Sequence, residues 1–171
     1  MKILGFDLGD GESAVTLLDE DSTVEPRVMP LCGKNSLISA VGVKDGRTVI
    51  GEAASVTDGA AEAKVRFKSR YLTDPAASAD VRAFAQGVMN ELTRTQPALM
   101  AEVSRTVVGC PAGWGDGRRE QYAALLESAG FPNVSVVPEP RAAFLYARHA
   151  RGLRVSPELM KKSAMVIDVG S

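Results

Sequence analysis

The chain opens on an apolar run that stops at an acidic residue and a glycine, Ile3-Leu4-Gly5-Phe6-Asp7-Leu8-Gly9. Residues 1–8 read as a buried strand, and 14–19 as its hairpin partner across a Gly9-Asp10-Gly11 turn. Residues 25–31 read as a third strand, kept short by Pro26 and Pro30. The segments 36–43 and 48–50 flank Asp45-Gly46, a hairpin dipeptide. Residues 51–63 are rich in Ala, Gly, Ser and Asp and read as a short helix, then a loop. Ser78-Ala79-Asp80 reads as a helix cap. Beyond it Val81, Phe84, Ala85, Val88, Met89 and Leu92 recur at threes and fours, which predicts one helical face to about Thr95. Pro97 interrupts the pattern. Residues 106–110 form an apolar strand closed by Pro111. Asp116 reads as the N-cap of a helix with the stripe Tyr122, Leu125, Leu126 and Ala129, ended by Gly130. Residues 134–137 read as a strand, Pro140 opens a helix to about Arg151, and 164–169 read as a last strand. The sum is a hairpin layer, an inserted α/β piece, then strand–helix–strand–helix–strand: an α/β fold.

Composition narrows the class. Of 171 residues, 45% are hydrophobic and 24% charged, ordinary for one globular domain with an insertion. Aromatics are 5%, so the core must rest on Val, Leu, Ala and Ile. A net charge of −1 offers no basic field for nucleic acid and no polybasic membrane patch. No apolar run approaches the roughly 18 residues of a membrane span, and the start lacks a signal-peptide layout. Cys32 and Cys110 form no close metal-ligand pair and His149 adds no zinc pattern. Reduced thiols and a cytoplasmic location are expected.

The candidate chemistry lies at strand ends. Ala164-Met165-Val166-Ile167-Asp168-Val169-Gly170 repeats the opening design of apolar run, Asp, one apolar residue and Gly. Backbone N–H groups in such turns can cradle phosphate, and Asp7 and Asp168 can hold magnesium through water. The plainer alternative is that each Asp satisfies nearby turn N–H groups. Glu139 lies between Pro138 and Pro140. The second proline disfavours the helical region for it, which predicts an extended glutamate beside a helix N-terminus, where negative charge is favoured.

A longer constellation runs Gly109-Cys110-Pro111-Ala112-Gly113-Trp114, then Arg119, then Pro138-Glu139-Pro140-Arg141-Ala142-Ala143. It resembles the heat-shock protein 70 chaperone family, whose strand ends Val-Pro-Ala-Tyr-Phe, with an Arg on the next helix and then Asn-Glu-Pro-Thr-Ala-Ala. The spacing from Pro111 to Arg119 to Glu139 matches that family without a gap. The opening resembles its Gly-Ile-Asp-Leu-Gly-Thr-Thr, the end the first half of its Asp-Leu-Gly-Gly-Gly-Thr, and Ile50-Gly51-Glu52-Ala53-Ala54 its Ile-Gly-Asp-Ala-Ala. The Asp-x-Gly loops are shared with the wider actin-like and sugar-kinase superfamily.

The resemblance implies lobe I of an actin-like ATPase domain, with a ribonuclease-H-like mixed sheet flanked by helices. Residues 1–33 and 105–163 would form the core subdomain, 34–104 an inserted α/β subdomain, and 164–171 the first strand of lobe II. It implies ATP or ADP with Mg2+ as cofactors. Asp7, Asp168 and Glu139 would be catalytic, with Asp7 and Asp168 on magnesium-bound water. Gly9, Asp10, Gly11 and Gly170 would bind the nucleotide, and Pro111, Arg119 and Glu139 would form the switch. Its partners would be lobe II, a substrate-binding domain, and protein clients or co-chaperones, with no nucleic acid and no membrane. The isolated lobe would lack turnover, and its orphan strand would pack irregularly, swap or dimerise.

Two departures from the family bear on hydrolysis. Asp10 and Gly11 stand where the resemblance expects two threonines, and a carboxylate beside phosphate costs Coulomb energy unless a cation intervenes. Ser55 follows Ala53-Ala54 in place of an expected lysine, leaving Lys64, Arg66 or Lys68 to replace it. A non-catalytic interaction module and another actin-like relative, a filament former or sugar kinase, stay open as alternatives.

Overall fold

The computed structural model describes residues 1–21, 25–55, 63–71, 74–149 and 158. The expected strand at 164–169, with Asp168 and Gly170, lies outside the described residues.

The architecture is mixed α/β: a mixed sheet flanked by helices. Strand β1 (Lys2–Leu8) is central, with alternate residues Leu4, Phe6 and Leu8 fully or almost fully buried, as a strand with one face on a core requires. On one side β1 pairs antiparallel with β2 (Glu12–Asp19), matching Phe6 to Val15 and Leu8 to Ser13. β2 pairs in turn with the short β3 (Arg27–Met29) and with β4 (Leu37–Ile38). The second, antiparallel sheet joins β5 (Ala40–Lys44) to β6 (Arg47–Ile50) through the expected Asp45-Gly46 hairpin. The short helix α1 (Glu52–Ser55) follows, then β7 (Lys64–Val65), which pairs with β5. After it come α2 (Phe67–Arg70), α3 (Pro75–Thr95) and α4 (Pro97–Met100). β8 (Val103–Cys110) then returns to lie parallel to β1. Helix α5 (Asp116–Ser128) leads to β9 (Val134–Pro138), parallel to β8, and α6 (Glu139–His149) is the last of the described elements. The main sheet therefore runs β3-β2-β1-β8-β9.

Core formation follows the periodicity. On α3, Val81, Phe84, Ala85, Val88 and Leu92 are all fully buried, and on α5 so are Tyr122 and Leu126. Full burial of each such large apolar side chain contributes about 1.5–3 kcal/mol. Phe6 of the central strand stacks on Phe131 after α5, with ring centroids 4.9 Å apart. Phe67 meets Phe84 at 5.2 Å. The core is continuous from Leu4 and Phe6 through Leu126 to Val41 and Ile50, so the segment expected as an insert shares its core with the main sheet. Among the described residues no helix is long and apolar enough to cross a membrane.

Several local expectations are corrected. Helix α3 starts at Pro75, not near Ser78, because the Asp74 carboxylate accepts from the Ala76 amide at 2.8 Å and proline fits the first helical position. Gly115, not Asp116, occupies the N-cap of α5. Asp116 sits in the first turn, where its charge complements the helix N-terminus. Glu139 is not extended: it is the first residue of α6, with the following proline inside the first turn, where its missing N–H costs nothing. The short elements β7, α2 and α4 were not anticipated.

Candidate functional site

The parallel pairing aligns the carboxyl ends of β1, β8 and β9. Phe6 sits beside Val108, Gly109 beside Val137, and Cys110 beside Pro138. Phe6 and Val108 both point into the core, so Asp7 and Gly109, one residue further along, share the opposite face. Asp7 is exposed there. In open α/β sheets, ligands bind outside these carboxyl ends.

Glu139, entering α6 directly after β9, lays its side chain over Gly109. A Cβ on Gly109 would lie 2.9 Å from Glu139 Cγ, so glycine is what lets the glutamate cross the strand. The Glu139 Oε1 atom accepts from Lys68 Nζ of α2. The Lys68 side chain is only 7% exposed against 30% for Glu139. Of Lys64, Arg66 and Lys68, the three cations that the sequence offered in place of the expected lysine, Lys68 is the one that rests on Glu139. Sequence reasoning named Lys68 only among three, because a four-residue helix shows no period.

The Gly9-Asp10-Gly11 turn stands next to this pair. Gly9 N–H closes the turn on the Glu12 carbonyl at 3.1 Å. A Cβ on Gly9 would lie 2.4 Å from that same oxygen, so the tight turn requires glycine. The Gly9 amide is thereby engaged in the hairpin. Asp10 Oδ1 accepts the Ser69 amide of α2 at 3.0 Å, which ties the turn to the lysine-bearing helix.

Pro111, before α5, and Arg119, in its first turns, are linked by hydrogen bonds through Trp114. The Pro111 carbonyl accepts from Trp114 N–H at 3.2 Å, and the Trp114 carbonyl accepts from Arg119 Nε at 2.9 Å. Arg119 also donates to Asp116 Oδ1 at 3.3 Å. The trio joins Glu139 through the β8–β9 ladder, where Cys110 and Pro138, the neighbours of Pro111 and Glu139, lie side by side.

Beneath this end lies an aromatic cluster that the sequence did not announce. Trp114 meets Tyr122 edge-on at 5.1 Å, and Tyr71 packs on both at 5.7 and 5.6 Å. Tyr122 is fully buried and its hydroxyl has no hydrogen-bond partner among the described residues. Burial pushes that phenol well above its ordinary range, and the nearby Glu139 carboxylate pushes it further. Burial likewise raises the Cys110 thiol. Cys110 is buried and Cys32 exposed, both as free thiols. His149 is exposed in the last turn of α6.

Among the described residues no group of three or more His, Cys, Asp or Glu could hold a metal ion. A magnesium ion that keeps several waters needs only one or two protein carboxylates. Asp7, a hard oxygen donor at a strand end, fits that requirement as one of them. No family model matches the chain.

Proposed function

We propose that this chain is one lobe of a magnesium–nucleotide site on an actin-like ATPase fold, from a heat-shock-70-like chaperone. The observation that carries the reading is the ion pair of Lys68 and Glu139 at the carboxyl ends of β1 and β8, on the face that bears Asp7. Further support comes from the sheet order β3-β2-β1-β8-β9, in which β2 runs against β1, β8 and β9. A ribonuclease-H-like core has this arrangement.

In this reading ATP or ADP binds between this lobe and lobe II, and magnesium supplies charge neutralisation at the phosphates. Asp7 orders water at that ion. Lys68 provides a desolvated positive charge, stronger than one in bulk water. Glu139 exchanges that lysine against the ligand, and its movement reaches Pro111 and Arg119 through the β8–β9 ladder. Catalysis is then mostly positioning and electrostatics.

One observation favours a second reading, a non-catalytic interaction module: Asp10 places a carboxylate in the turn where phosphate would sit. Calorimetric titration of Mg-ADP into this chain, and into the longer protein that the reading requires, separates the two. Binding to the longer protein alone indicates a site split between lobes. Binding to neither makes the interaction module the better reading.

A further inference from the structure

Helix α2 does not cap itself. Its N-cap residue, Arg66, supplies no side-chain hydrogen bond and is held in the left-handed region at φ 53 and ψ 35, a conformation that non-glycine residues seldom adopt without a local reason. The cap comes from elsewhere: Asp10, 59 positions away, accepts the Ser69 amide at 3.0 Å. Ser69 Oγ turns back onto the Arg66 carbonyl at 3.2 Å. Between them lie Phe67 and Lys68, and the Lys68 ammonium rests on Glu139. At its other end α2 runs into Tyr71, packed on Trp114 and Tyr122. The body of the helix is anchored by Phe67 on Phe84 and by Arg70 on Asp80 at 3.2 Å, while the cap on its first turn comes from the Asp10 carboxylate in the Gly9–Gly11 turn.

We propose that Asp10 is a positioning residue, a latch that keeps Lys68 on Glu139, and that a phosphate-bearing ligand entering the turn opens it. The proposal rests on the nucleotide reading of the turn. A hydroxyl at this position could stay beside the ligand, whereas a carboxylate is repelled by phosphate oxygens. Its departure removes the acceptor from the Ser69 amide, lets Arg66 leave its strained conformation, and loosens the first turn of α2 so that the Lys68 side chain swings from Glu139 to the ligand. The negative charge of Asp10 therefore couples phosphate entry to release of Glu139. It also weakens ligand affinity, because part of the binding free energy is spent on opening the latch.

Two substitutions separate charge from hydrogen bonding. Asp10→Ala removes both, while Asp10→Asn keeps an oxygen acceptor and loses the charge. In this chain without ligand, Asp10→Ala is expected to speed amide exchange across 66–71 about tenfold and to shift the emission of Trp114, its single tryptophan. Asp10→Asn is expected to stay near wild type in both. Unchanged exchange and emission in Asp10→Ala overturn the latch whatever the ligand does. In the longer protein, Mg-ADP should bind the Asp10→Asn variant about tenfold more tightly than wild type, and should deprotect 66–71 in wild type. Equal affinity with unaltered exchange overturns the latch and leaves the nucleotide reading standing. No Mg-ADP binding to either protein overturns that reading, and the opening of the latch with it.

Discussion

Lys68 donates to the carboxylate of Glu139 across 71 positions of sequence, and the two ends of this pair are unequally exposed. The lysine side chain is almost wholly withdrawn from water, whereas the glutamate side chain is 30% exposed. Removing either partner from such a pair strands a charge, and the inequality fixes which loss is worse. Glu139→Gln leaves a buried, poorly compensated lysine and should cost about 3 kcal/mol. Lys68→Met leaves a glutamate that can turn to solvent and should cost about 1 kcal/mol. The double variant should recover most of the larger loss, because two neutral groups need no charge partner. Urea unfolding of the three variants checks the order, and equal losses in the two single variants would refute it.

Gly109 controls where that carboxylate rests. A methyl group there would meet Glu139 Cγ at 2.9 Å, tighter than ordinary van der Waals contact. Gly109→Ala should therefore displace the glutamate from the strand face and cost about 1–2 kcal/mol, as overpacking does. If the cost arises at this contact, combining Gly109→Ala with Glu139→Ala should give less than the sum of the two losses. Additive losses in denaturant melts would place it elsewhere.

Alkaline pH should weaken the fold through Tyr122. Burial, followed by Glu139, raises its phenol in the folded state. Above pH of about 10, the ordinary tyrosine value, the unfolded chain loses this proton while the folded chain retains it. The unfolded state then binds fewer protons, so unfolding free energy falls as pH rises. The stabilising contribution is fully present below that pH and is lost above it, at up to about 1.4 kcal/mol per pH unit. Tyr122→Phe should flatten this decline between pH 9.5 and 11, conditions set by the experiment. Thermal melts of wild type and variant across that interval provide the comparison.

Asp74 tests the start of the longest helix. Its side chain holds the Ala76 amide at 2.8 Å, and Asp74→Ala should cost about 1 kcal/mol, or a fall in Tm of about 3 °C. Asp74→Asn should recover most of it by keeping an acceptor. A Ser78→Ala variant should have little effect, since that residue lies inside α3 rather than at its cap.

How much of this was legible in the sequence depends on the range of the cause. The buried face of α3 and the stripe on α5 came from spacing alone, because a helix repeats every 3.6 residues and the core selects one face. The Gly9–Gly11 and Asp45–Gly46 hairpins came from turn chemistry acting within a few residues. Helices α2 and α4 and strand β7 did not, since two to four residues show no period. The helical state of Glu139 was missed because the preference set by its following proline yields to a helix start once β9 has delivered the chain there.

The candidate site divides in the same way. Asp7, Gly9 and Glu139 could be singled out by local pattern: a strand end, a tight turn, a glutamate between prolines. By itself the sequence determined which segments could be strands and helices and which residues would face the core, because periodicity and turn preference act over neighbouring positions. Only the tertiary structure decided that Lys68 would be the cation on Glu139, that Asp10 would hold Ser69, and that Tyr71, Trp114 and Tyr122 would close into one cluster. Those contacts depend on strand order and register, which bring distant segments together through the combined burial of a shared core.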